Sequence, residues 1–217
     1  MDIYRSIVGF FQSGGLFMYP IVVVLALGMA IAIERYVYLT LARATNRRVW
    51  GRIMPLLAAG DYQQAIVVSR ESKSAISRVL GYGLGRLASA RRRDDIEVAM
   101  QEGLMETVPR LEKRTHYIAT FANIATLLGL LGTIIGLIQA FTAVATANPA
   151  DKADMLSASI SVAMNTTAFG LMVAIPLLLI YTVLQTKTTE LVDSLEMAAV
   201  KFLNVLTEKA SVGGGAA

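Results

Sequence analysis

The chain has 217 residues, 55% of them hydrophobic and only 17% charged, with a formal net charge of +4. A soluble domain of this size carries more charge, and the apolar residues here come in long blocks, so the composition points to a membrane protein rather than a soluble one. Cysteine is absent and His116 is the single histidine, which leaves no disulfide framework, no thiolate chemistry and little from which to build a metal site or a catalytic triad.

In residues 1–14, Ile3, Ile7, Phe10 and Phe11 share one face at helical spacing. This predicts a short amphipathic helix lying on the membrane surface and stopped by Gly14-Gly15, the alternative being the frayed start of the next helix. The apolar stretch that follows ends in Glu34-Arg35 without a small-residue cleavage site, so it reads as a retained span and not a signal peptide. That first span is placed over 15–42. Its apolar heart, Leu16 to Ile33, is long enough at 1.5 Å per residue to cross about 27 Å. Glu34 and Arg35 read as an interfacial anchor, by ion pairing or by snorkelling.

From 43 to 116 the chain is polar and Arg-rich, with helix breaks or caps expected at Gly60-Asp61 and Asp94-Asp95 and no sustained strand pattern. A second span is expected over 117–147, a short link over 148–155, a third span over 156–186, and a polar helix with a flexible tail over 187–217. Leu191, Leu195, Ala198, Phe202 and Val205 make an apolar stripe on that last helix. Lys and Arg concentrate in the 43–114 block and the C-terminal tail, so the positive-inside rule puts both in the cytoplasm and the N-terminus outside. The run Arg91-Arg92-Arg93 then reads as a topology determinant or headgroup contact, and no RNP, zinc-finger or basic-aromatic pattern supports nucleic-acid binding. The fold expected is all-α: three transmembrane helices, long helices reaching into the cytoplasm, and the N-terminal amphipathic helix.

The second span, LLGLLGTIIGLIQAF from Leu127 to Phe141, carries Gly129, Gly132, Gly136 and a lone Thr133. The third carries Ser161, Asn165, Thr166 and Thr167, then Gly170 and Pro176. The glycines predict close helix packing. Pro176 removes one backbone bond and offers a kink. A row of hydroxyls and an amide is unfavourable against lipid and should face other helices or water. Neither span holds Asp, Glu, His, Lys or Arg. A proton path needs a group that titrates, so these spans can supply a polar wall but not the titrating group itself.

At this point the residues resemble a known family. LEKRTHYIATFANIATLLGLLGTIIGLIQAF and SISVAMNTTAFGLMVAIPLLLIYTVL are similar to the second- and third-span signatures of the MotA/TolQ/ExbB proton-channel family, most of all its TolQ/ExbB branch. AIAIERYVYL and GDYQQAI resemble its first-span end and cytoplasmic hairpin. The resemblance implies a multi-pass protein of the bacterial inner membrane, N-terminus periplasmic and C-terminus cytoplasmic. It implies a homopentameric ring around an ExbD/TolR-like single-span partner whose intramembrane aspartate carries the proton. The motor so formed would pass energy to the periplasm or outer membrane through a TonB- or TolA-like protein or a motility protein, for import, envelope integrity or gliding. By the same resemblance Thr133 and Thr167 fall on the pore threonines, with Asn165, Thr166 and Ser161 as further pathway candidates. Neither an enzyme nor a cofactor is expected. The alternative is a structural membrane scaffold without ion flux. One departure is Val162, which stands where many members carry glutamate; Thr126 likewise stands where proline is common.

Overall fold

A computed structural model of the chain describes residues 10, 14–87, 89, 92–146 and 148–214. Most of the amphipathic helix expected over 1–14 lies outside these residues, as does Arg91. The described residues form helices and no strands: α1 (Met18–Ala59), α2 (Tyr62–Glu71), α3 (Ala75–Arg86), α4 (Arg93–Glu112), α5 (Thr115–Thr146) and α6 (Lys152–Gly214). Three helical stretches are long and apolar enough to cross a membrane, within Met18–Ala59, Arg93–Thr146 and Lys152–Glu208. The protein is a multi-pass, all-α membrane protein.

Local chemistry sets the breaks. Gly60, at φ 85°, ends α1, and the Asp61 side chain then caps α2 by accepting from the Gln64 N–H at 3.0 Å. Ser74 caps α3 in the same way through the Ser77 N–H at 3.3 Å. Asp94-Asp95 falls in the first turn of α4, where Asp95 accepts from the Arg92 N–H at 3.1 Å and complements the helix dipole. Arg114 separates α4 from α5 with φ 68°, a left-handed value that is unusual outside glycine. Beyond Gln185, α6 continues without a break to Gly214, so the tail expected to be flexible is helical to that point.

The chain divides into two compact units. The first comprises residues 1–34 and 114–183, and the second 35–113 and 184–217. The first packs α5 and the beginnings of α1 and α6 around small side chains: Ala122, Ala125 and Ala140 of α5, Ala163 and Ala174 of α6, Ala32 of α1. The second packs α2, α3 and α4 with the later halves of α1 and α6 around larger ones, including Ile53, Leu57, Leu80, Leu84, Met100 and Phe202. The expected stripe on the last helix is this core's contribution: Leu191, Leu195, Ala198 and Phe202 are all buried. In this second unit Asn46 caps α3 from a distance, its Oδ1 accepting from the Ile76 N–H at 3.3 Å.

Candidate functional site

The first unit holds the residues that the sequence singles out. Buried positions on α5 recur as Ile118, Ala122, Ala125, Gly129, Gly132 and Gly136, a stripe that after Ile118 is all alanine and glycine, its glycines facing α6. A Cβ placed on Gly136 would lie 2.9 Å from the Cβ of Ala163, and one on Gly132 would lie 2.4 Å from Thr166 Cγ2. A Cβ on Gly170 would meet the Ala125 carbonyl oxygen at 2.7 Å and the Gly129 Cα at 3.0 Å. Rising numbers on α5 therefore meet falling numbers on α6: the two are antiparallel, and their backbones approach where both present glycine. Helix α1 runs parallel to α6, since Gly15 sits by Val162 and Gly28 by Leu177.

Successive residues on a helix are about 100° apart, so Thr166 and Thr167 flank the α5–α6 seam on opposite sides. Thr166 is buried, its Oγ1 lying 2.5 Å from the Gly14 carbonyl oxygen and 2.9 Å from that of Val162. It marks the α1 side. Gly132 leans toward Thr166, so Thr133, the next residue on α5, turns to the opposite side. Thr167 is there too, donating across the seam to the Gly129 carbonyl at 2.8 Å. Thr133, half-exposed, donates back to the Leu130 carbonyl at 2.6 Å. Thr133 and Thr167 thus share the side of the seam away from α1, among the exposed side chains of Leu130 and Leu171.

The other expected pathway residues lie elsewhere. Thr166 is sealed inside the α1–α5–α6 packing, because its methyl fills the space that Gly132 leaves. Ser161 is exposed on the back of α6, half a turn from the seam, and half-buried Asn165 lies on that back surface toward the α1 side. By sequence spacing Ser161 and Asn165 share one face of α6 while Thr167 points to another, and the contacts of Thr166 with the chain entering α1 and of Thr167 with α5 separate these two neighbours further. Val162 rests against the chain entering α1, on the side of Thr166. Pro176 is exposed and α6 runs through it as continuous helix.

Glu34 forms a two-pronged ion pair with Arg114, at 2.8 and 3.0 Å, so the anchor residue holds the left-handed hinge before α5. Arg35 is 4% exposed; its guanidinium donates to the Leu111 carbonyl and stacks 4.9 Å from the Tyr38 ring centre. Sequence spacing gave no sign of these two contacts, which depend on residues some 80 positions apart. His116 is exposed, 6.3 Å from the Tyr181 ring. Among the described residues no group of His, Cys, Asp or Glu could hold a metal ion.

The model of the MotA/TolQ/ExbB proton channel family matches residues 71–197, which include the whole of α5 and the part of α6 that meets it. The chain belongs to that family. Its relatives include an ExbB homolog of biopolymer transport from Methanothermobacter thermautotrophicus, 26% identical over 199 residues, covering 91% of this chain and 69% of that protein. The biopolymer transport protein exbB1 of Vibrio cholerae is 28% identical over 169 residues, covering 76% of this chain and 73% of that one. The Tol-Pal system protein TolQ of Haemophilus influenzae is 35% identical over 83 residues, 38% of this chain and 36% of TolQ. This member is accordingly an energy-transducing membrane subunit of the ExbB/TolQ type, of a proton-channel family with no known enzyme class.

Proposed function

We propose that this chain is the stator-type subunit of a proton-motive-force-driven motor of the bacterial inner membrane, N-terminus periplasmic and C-terminus cytoplasmic. Five copies would enclose the membrane helix of an ExbD/TolR-like partner bearing an intramembrane aspartate. One observation carries the reading. Thr133 and Thr167 share one side of the α5–α6 seam, while neither span offers an ionisable group of its own. Such a wall can solvate a proton carrier but cannot be one, so the carboxylate comes from another polypeptide. The buried glycines serve the packing that holds the wall. Energy would pass to a TonB-, TolA- or motility-type protein.

The alternative reading, a structural scaffold, draws on the same Thr167–Gly129 bond as helix glue. Thr133→Val and Thr167→Val separate the two. Both variants should assemble with the mass of the wild-type complex, yet lose proton-gradient-dependent activity in proteoliposomes, while Thr167→Ser retains it. Wild-type flux in both valine variants would remove the polar-wall role. An assembled complex that conducts no protons at all would favour the scaffold.

A further inference from the structure

The second unit carries a surface with no role in the reading above. Helices α4 and α6 run antiparallel there, and a groove of about 240 Å³ opens between Met100 and Leu104 on one side and Ala199, Val200 and Leu203 on the other. It continues into a second hollow of about 390 Å³ lined by Met105, Val108 and Pro109, and the two share Gln101, Leu104 and Glu196. One end is closed by Arg93, which donates to the Asn204 side chain at 3.3 Å. From Glu97 to Pro109 the groove follows α4 for about 18 Å, or three helical turns.

Its floor is apolar and built partly of methionine. Met105 is 75% exposed and Val200 is 55% exposed. The rim is acidic: Glu97 and Glu196 are both exposed, and the lining of the two hollows contains no Lys or Arg. Neither glutamate appears among the ion pairs of the described residues. An apolar, Met-bearing channel with carboxylates on its lip and the length of a few helical turns is the form that accepts an amphipathic helix lying in a groove. The unpaired acids select the sign of the guest.

We infer that this groove docks a basic amphipathic helical segment of another polypeptide, its apolar side on Leu104, Met105 and Val200 and its lysines or arginines against Glu97 and Glu196. The inference stands apart from the proton pathway, because no residue of the groove belongs to the membrane-spanning wall. The test uses the full chain in phosphatidylcholine nanodiscs and a fluorescein-labelled 14-residue peptide of leucine and lysine at helical spacing, read by anisotropy against empty nanodiscs. Binding above the empty-disc level should fall at least tenfold for Glu97→Lys/Glu196→Lys and for Val200→Asp, a residue exposed enough to change without unfolding the core. It should stay within twofold for Glu71→Lys, which lies outside the groove. Equal binding by wild type and both groove variants overturns the inference, as does binding no greater than that of empty discs. If the double glutamate reversal instead lowers the mass of the purified complex, a second copy covers the groove and the inference is likewise overturned.

Discussion

Gly170→Ala isolates the tightest approach of a glycine to neighbouring backbone among the described residues. The new Cβ would stand 2.7 Å from the Ala125 carbonyl oxygen, about 0.7 Å inside the 3.4 Å at which ordinary contact begins. The obstacle is backbone on a neighbouring helix, so no rotamer change relieves it and α5 and α6 must part. Overpacking of this kind costs about 1–3 kcal/mol. Parting also stretches the Thr167–Gly129 bond from 2.8 Å toward the limit of useful geometry, at a further loss of about 1 kcal/mol. The better helix propensity of alanine returns about 1 kcal/mol, which leaves a net loss of about 2 kcal/mol. The assay is SDS titration of the purified protein in mild detergent, followed by far-UV circular dichroism. Two variants calibrate it. Gly28→Ala meets only the end of the Leu177 side chain, at 2.9 Å, and should be near neutral; Gly51→Ala has nothing within 4 Å and should stabilise by up to about 1 kcal/mol. If Gly170→Ala unfolds no earlier than Gly28→Ala, the backbone contact does not set the helix spacing and the account of the seam is wrong.

Phe202→Ala should cost the second unit about 3–5 kcal/mol, seen as an earlier loss of helix signal, because Phe202 is 0% exposed and packs near Gly83 and Met100. Arg114→Gly should be close to neutral in the same titration, since relief of a left-handed φ offsets the loss of a half-exposed ion pair, whereas Arg114→Val should cost about 2 kcal/mol. In the α3–α4 hairpin Tyr82 donates to Glu106 at 2.7 Å. That bond, and then the carboxylate charge, push the Tyr82 hydroxyl above its ordinary value, while the same bond and then the Arg110 charge hold Glu106 below the usual glutamate range. The Glu106 contribution to stability is therefore present above the unfolded glutamate pKa and lost as pH falls through the lowered folded value. The Tyr82 contribution is present below about pH 10 and lost as pH rises through the raised one. Tyr82→Phe should flatten both flanks of a pH–stability profile; an unchanged profile would show that the bond does not form.

Much of the architecture was legible because its signals are local. Long uncharged runs mark the three membrane helices, Gly60-Asp61 marks a break, and the stripe from Leu191 to Phe202 marks a buried face. The glycines of α5 were legible as packing residues for the same reason, since spacing alone puts Gly132 and Gly136 on one side. The hydroxyl row was legible only as a row. Which of its members turn inward depends on where α1 and α5 each touch α6, and a one-residue step from Thr166 to Thr167 carries the side chain across the seam. The Glu34–Arg114 pair was out of reach for a related reason: its partners meet only after some 80 residues of intervening chain have folded.

The Thr167–Gly129 contact has a consequence for how easily that hydroxyl changes partner. Inside α5 the Gly129 carbonyl is also the natural acceptor for the amide of Thr133, four residues on. When Thr167 rotates away, the carbonyl keeps that amide and is not orphaned in a dry interior. The swing forfeits one net bond, about 1 kcal/mol, rather than the several that a stranded polar group would demand. The hydroxyl is latched but light to release, within reach of thermal fluctuation or of a passing polar guest.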